Sequence, residues 1–310
     1  MSGPPLPLDP NQPLPAEAEQ LWEVNAAWWQ ECFTEGADPE YREQIVPLLR
    51  GLLSTAGPAT VLDIGCGEGQ LSRVAAALPG LRRVTGVDPT RSQLEAAIRR
   101  QVERPAGEAS VDDDGPGAVG PGAAGSGDGG QGPAKTGPAK TGPAKTGPAG
   151  IGYARATATA LPFPDETFDA AFACLVFEHI EGTVGAIAEV GRVVRPGGTF
   201  VLFMNHPLLQ VPGSGWVDDD ILGEQYWRIG PYLTENHSVE EVDKNVWIPF
   251  VHRPLSVYVN ALVAAGLYVT KMIEPAPPGG FLEKAEEYRQ AAAFPRLLVL
   301  QTEKRPRARV

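Results

Sequence analysis

Three glycines at alternate positions, Gly65, Gly67 and Gly69, directly follow the apolar stretch Val61-Leu62-Asp63-Ile64 and precede a helix-forming run from Gln70 to Leu78. A buried strand, a glycine-dense turn and an immediate helix start leave the chain few folds to choose from. Glycine lets the backbone turn sharply and come close to a ligand that a Cβ would push away. The helix start presents backbone N–H groups without intrahelical partners to that ligand. Asp63 places a carboxylate just before the turn. The segment reads as a cofactor cradle at a strand end.

The spacing narrows the choice of cofactor. A dinucleotide fingerprint needs G-x-G-x-x-G, and counting from Gly65 and Gly67 its third glycine falls on Gln70. A phosphate-binding loop needs Lys-Ser or Lys-Thr after the glycines, and neither is present. D-x-G-x-G-x-G remains. Its acid would repel a pyrophosphate but suits a cationic amino-acid end. The next strand, Val84-Thr85-Gly86-Val87-Asp88, ends in a second acid, of the kind that accepts hydrogen bonds from ribose hydroxyls.

In these residues the chain resembles class I S-adenosylmethionine-dependent methyltransferases, with motif I at 61–69 and motif II at 84–90. Downstream, Ala160-Leu161-Pro162-Phe163-Pro164-Asp165-Glu166-Thr167-Phe168-Asp169 is similar to the family's "LPF…FD" signature. Arg195-Pro196-Gly197-Gly198-Thr199-Phe200 is similar to the turn before its fifth strand. The resemblance implies a Rossmann-like α/β fold, a doubly wound, mostly parallel sheet of seven strands with the last antiparallel. It implies S-adenosyl-L-methionine as cofactor. Gly65, Cys66, Gly67 and Gly69 would border its methionine and ribose portions, with Asp63 near the amine and Asp88 on the ribose. Pro89 and Thr90 would flank the adenine, and Cys174 and Leu175 would lie beside the cofactor after strand four. The family often binds the adenine amino group with an Asp four residues before the Leu of LPF. That position is Thr157 here, which leaves Thr157 or the Ala158 backbone for the contact.

The organisation agrees with one such domain. Helical and strand patterns alternate: a helix over Arg91–Val102, strands Ile151–Arg155, Phe168–Cys174 and Thr199–Asn205, and a helix over 183–194 between the last two. Further on come a helix over 255–265, a strand over 268–273, a helix over 282–292 and a strand over 296–301. Residues 1–15 are proline-rich and are expected to be a mobile tail; 16–54 supply cap helices, with Trp22, Trp28 and Trp29 either packing in the core or covering the substrate mouth. Residues 103–150 are rich in Gly and Pro, lack aromatics, and repeat Gly-Pro-Ala-Lys-Thr three times in succession. Such a segment buries too little apolar area to offset its ordering entropy, and we expect a disordered insertion. The methyltransferase domain is thus expected over 16–102 and 151–303.

The formal charge of −12 argues against a nucleic-acid partner, because it offers no net positive field. No apolar run reaches the ~18 residues of a spanning helix. Three cysteines without CxxC spacing, and an opening without a signal-peptide pattern, lead us to expect a reducing, cytoplasmic setting.

The acceptor side is less generic. His206, at the end of strand five, and His252, at the entry of the helix at 255, are candidate general bases. Glu178-His179 resembles the end of an E-x-x-E-H metal motif, but Leu175 stands at its first position, so no metal is expected and Glu178 is read as a cap for the following helix. Segment 206–253 carries Trp216, Tyr226, Trp227, Tyr232 and Trp247 among glycines. It is either a lid over an apolar, ring-shaped ligand or a small core that steadies a long loop. These features point to methyl transfer onto a small aromatic or lipophilic acceptor. RNA or protein methylation, and a non-catalytic cofactor-binding module, are the alternatives. The oligomeric state is not legible.

Overall fold

The computed structural model describes residues 18–34, 37–103, 149–284 and 290–306. The tail at 1–15 and nearly all of the insertion at 103–150 lie outside them.

Strand β1 (Thr60–Ile64) runs through the glycine turn into helix α4 (Gln70–Ala76), then β2 (Arg83–Asp88), α5 (Arg91–Glu103) and β3 (Gly150–Arg155). Before them come the short helices α1 (Ala18–Val24), α2 (Ala26–Phe33) and α3 (Val46–Ala56). After them come β4 (Phe168–Cys174), α6 (Thr183–Val193) and β5 (Val194–Asn205). The chain closes with α7 (Leu255–Ala264), β10 (Leu267–Ile273), the one-turn α8 (Gly279–Leu282) and β11 (Leu297–Lys304).

The seven strands form one sheet in the order β3-β2-β1-β4-β5-β11-β10. β11 pairs antiparallel with both neighbours, and the other pairings are parallel. This is the expected fold class, including the reversed last strand. Connections leave β1 in one direction and β4 in the other, so a crevice opens at the carboxyl ends of these two strands.

Side chains alternate across the sheet with the period of two that strands impose. From β1, Leu62 and Ile64 pack on one face with Ile187 and Val190 of α6 and Tyr258 and Leu262 of α7. Val61 packs on the other with Leu49 and Leu53 of α3 and Leu71 and Ala75 of α4. Two covered faces explain why β4 reads as seven consecutive buried residues. Asp63 shares the face of Val61 but sits at the strand's end, under the glycine turn.

A second N-terminal helix is present from residue 39, as a π-turn over Tyr41–Ile45 that runs directly into α3. Pro47 has no N–H to close an i→i−4 bond, and Val46 N–H reaches back to Tyr41 O instead. The helix expected over 282–292 has no continuous counterpart among the described residues: Pro278 caps α8 early, Ala291–Ala293 is a 3-10 turn, and 285–289 are outside the description. Segment 206–253 holds two hairpins, β6–β7 (Gly215–Asp219 with Glu224–Arg228) and β8–β9 (Asn236–Asp243 with Val246–His252). β8–β9 is clasped to the N-terminal helices: Asn25 Nδ2 donates to Trp247 O (2.8 Å) and Trp28 Nε1 to Asp243 Oδ2 (2.8 Å).

Candidate active site

A cleft of about 1040 Å³ lies over the carboxyl ends of β1, β2 and β4. Its floor is the glycine turn. Gly65 has φ +69°, and a Cβ there would collide with Val176 Cγ2, so the turn and the segment after β4 fit only around a hydrogen. Gly65 N–H and Cys66 N–H both donate to Val87 O, at 2.8 and 3.0 Å, which pins the turn to β2. Gly69, with φ +81°, is the N-cap of α4, and a side chain there would strike the Tyr153 hydroxyl. Gly69 therefore serves the packing of α4 on β3 and is not on the cleft wall.

The remaining expected cofactor residues do line the cleft: Asp63, Gly65, Cys66, Gly67, Asp88, Pro89, Thr157, Ala158, Cys174 and Leu175. Asp88 Oδ2 accepts from Gly67 N (2.9 Å) and Oδ1 from Thr90 N (2.8 Å). Each carboxylate oxygen has a second lone pair for a ligand hydroxyl. Asp63 Oδ2 accepts from the Ser72 hydroxyl at 2.6 Å. Burial, reinforced by the nearby charges of Asp88 and Glu68, pushes the Asp63 carboxyl up to about 7 against the Ser72 bond. Burial likewise raises Asp88 and holds the Cys66 and Cys174 thiols well above their ordinary value, so both cysteines are neutral packing groups. Two buried, up-shifted acids flanking one turn fit a ligand with an ammonium at one end and a ribose at the other. Leu175 is held at φ +55°, a left-handed conformation rare for a branched side chain, at the strand end beside the cofactor residues. No sequence signal marks it.

Aromatic side chains share the cleft. Trp22 of α1, Trp29 and Phe33 of α2, and Tyr41 of the π-turn line it. The N-terminal helices thus wall the cleft. From segment 206–253 Pro249 alone, among the described residues, reaches it.

Neither expected base is on this wall. His206 Nδ1 accepts from Leu208 N (3.2 Å), which assigns the proton to Nε2, and Nε2 donates to Glu274 Oε1 (2.8 Å). Both nitrogens are committed away from the cleft. His252 Nε2 donates to Tyr232 O (2.8 Å), and burial lowers its basicity. The helix entry turns it toward the 232 loop, so the two histidines do not converge on a substrate.

His179 does line the cleft. Its Nδ1 donates to Pro249 O (2.7 Å), and its ring sits against Trp22 (4.8 Å between centroids) and Phe250 (4.6 Å). Burial lowers it to about 4, so the ring is neutral and its lone pair rests on Nε2. Glu178 caps no helix. Its Oε1 accepts from Asn205 N (2.9 Å) and Nδ2 (3.2 Å), and burial pushes the carboxyl up to about 7. The buried Arg253 fixes this segment from behind, donating to Ile180 O (3.0 Å), Glu181 O (2.6 Å) and the Thr183 hydroxyl (3.0 Å). The pair Glu178-His179 was visible as a motif, but its roles depend on β5 and β9, which sequence spacing does not place.

Comparison with known proteins agrees with this geometry. Two family profiles, each described as a methyltransferase domain, match residues 61–113 and 136–202. A 27-O-demethylrifamycin SV methyltransferase of Amycolatopsis mediterranei is 27% identical over 72% of this chain, and an O-methyltransferase (cnsE) of Penicillium expansum 23% identical over 66%. The chain spans 65% of the length of each. An S-adenosylmethionine-dependent methyltransferase structure from Mesorhizobium loti superposes with a TM-score of 0.58 at 24% identity, over 83% of this chain and 96% of that one. The chain thus carries methyltransferase-domain matches over 61–113 and 136–202 and shares the fold of the S-adenosylmethionine-dependent methyltransferase from Mesorhizobium loti.

Proposed function

We propose that this chain transfers the methyl group of S-adenosylmethionine to a hydroxyl of a small aromatic or lipophilic acceptor. The observation that carries the reading is the lining of one cleft, which brings two buried acids and a glycine turn together with four aromatic side chains and a neutral imidazole. At about 1040 Å³ the cleft lies at the top of the ~300–1,000 Å³ range of small-molecule sites, room for a cofactor and an acceptor together.

Asp88 would take the ribose hydroxyls, Asp63 the amine, and Thr157 or the Ala158 backbone the adenine edge. When bound, S-adenosylmethionine supplies an electrophilic methyl on a cationic sulfur. Trp22, Trp29, Phe33 and Tyr41 would exclude water and hold the acceptor ring, so that alignment and desolvation supply much of the rate. His179 Nε2 would accept a hydrogen bond from the hydroxyl and align its oxygen; an imidazole lowered to about 4 is a weak base, so the proton would pass on to water as the oxygen forms its new bond to carbon. The Nδ1–H bond to Pro249 O fixes the tautomer this needs. Two relatives named as O-methyltransferases, cnsE of Penicillium expansum and resE of Aspergillus sclerotiorum, support oxygen as the nucleophile.

The test is incubation with methyl-labelled S-adenosylmethionine and fractionated cell extract. Label in the low-mass, organic-soluble fraction is expected. Label confined to RNA or protein would overturn the acceptor class, and a protein that binds the cofactor yet transfers no label would be a non-catalytic module.

A further inference from the structure

Glu68 stands between Gly67 and Gly69 in the glycine turn and is 4% exposed, on the lining of the cofactor cleft. Its Oε2 meets two cations from two helices: Arg73 Nη2 of α4 at 2.7 Å and Arg100 Nη1 of α5 at 2.8 Å. Arg73 Nη1 also donates to the Glu68 backbone carbonyl at 2.7 Å. One carboxylate oxygen thus ties the turn to both helices that follow β1 and β2.

The tie has an electrostatic side. The two arginine side chains are only 17% and 23% exposed, and partly buried charges are screened much less than surface ones. The carboxylate of Glu68 is close enough to Asp63 and Cys66 to raise both. Without its charge, Arg73 and Arg100 would stand beside the cleft with no counter-charge at the turn. Two such cations act on a bound ligand according to its own charge. S-adenosylmethionine carries one positive charge more than S-adenosylhomocysteine, on its sulfur, and the two ligands are otherwise alike at their amino-acid and nucleoside ends.

We propose that Glu68 is a positioning residue that acts through Arg73 and Arg100: by neutralising them it holds the glycine turn and keeps the cleft favourable to the cationic cofactor over its by-product. The proposal rests on the methyl-transfer reading, which supplies the two ligands. The Glu68 carboxylate serves the arginines, whereas Asp63 and Asp88 serve the ligand.

The test is calorimetric titration of the full chain with S-adenosylmethionine and with S-adenosylhomocysteine, at low salt and pH 8. At that pH Asp63, near 7, is ionised for both ligands. Glu68→Gln keeps the shape and removes the charge, and should weaken S-adenosylmethionine at least about threefold more than S-adenosylhomocysteine. Arg100→Gln removes a cation from the same pair and should move the ratio of the two affinities the opposite way by a similar factor. A tie that only steadies the turn would change both affinities alike in each variant. A ratio that keeps the parent's value in either folded variant, or that moves the same way in both, would overturn the proposal and leave the methyl-transfer reading standing. A parent chain that binds neither ligand would overturn both. The Arg100→Gln arm decides the matter if Glu68→Gln fails to fold.

Discussion

Ser72 donates its hydroxyl hydrogen bond to Asp63 Oδ2 across 2.6 Å, joining the first turn of α4 to the end of β1 beneath the glycine turn. The bond satisfies one oxygen of a carboxyl that burial nonetheless raises to about 7. A ligand ammonium would favour the ionised form and reverse that shift.

The pH dependence of cofactor affinity follows from this. In the ligand-free fold Asp63 holds its proton up to about pH 7. Binding a cation to it releases that proton below this pH and releases none above it. Affinity for S-adenosylmethionine should rise about tenfold per pH unit toward 7 and then level off. Asp63→Asn should flatten the profile and weaken binding by roughly tenfold or more. Calorimetry between pH 5 and 8 checks both, and an unchanged slope in the variant would remove Asp63 from the amine site.

Glu178 predicts a stability effect of definite sign. Its folded-state value, about 7, lies above the ordinary carboxyl range, so the folded protein keeps a proton that the unfolded chain has lost. Stability from this group is full at low pH and falls as the pH rises to about 7. Glu178→Gln removes the buried charge and keeps an acceptor for Asn205. It should raise the melting temperature at pH 8, by an equivalent of up to about 3 kcal/mol, and show little difference at pH 5. Thermal unfolding at the two pH values decides it.

The histidines separate by position. His179→Gln should lower kcat by roughly 10²-fold or more while leaving S-adenosylmethionine affinity unchanged. His206→Ala should leave kcat within a few-fold of the parent, because both of its nitrogens are tied to Leu208 and Glu274. The reverse pattern in a labelled-methyl assay would return the chemistry to strand five.

Gly65→Ala should be severe. The new methyl group meets Val176, and the backbone stays left-handed at φ +69°. Loss of cofactor affinity with about 1–3 kcal/mol of destabilisation is expected from strain at such a position. An alanine variant that binds normally would show that the turn can open.

Much of the framework could be read from local pattern because its causes are local. β4 was placed residue for residue, and α5 and β10 to within one, since hydrophobic runs, Pro and Gly punctuation and strand-ending acids act over a few residues. The hairpins in 206–253 were missed because their pairing partners, not their intrinsic patterns, make them strands.

By itself, the sequence determined which kind of ligand the strand ends can hold. Glycines at 65 and 67 and acids at 63 and 88 act through backbone geometry and charge, which travel with the residues wherever the strand is buried. The tertiary structure alone decided which residues share the ligand's space. It turned Gly69 toward Tyr153, tied His206 to Glu274, and set His179 between Trp22 and Phe250. These are contacts between segments far apart in the chain, fixed by how helices and hairpins pack on the sheet, and no local spacing encodes them.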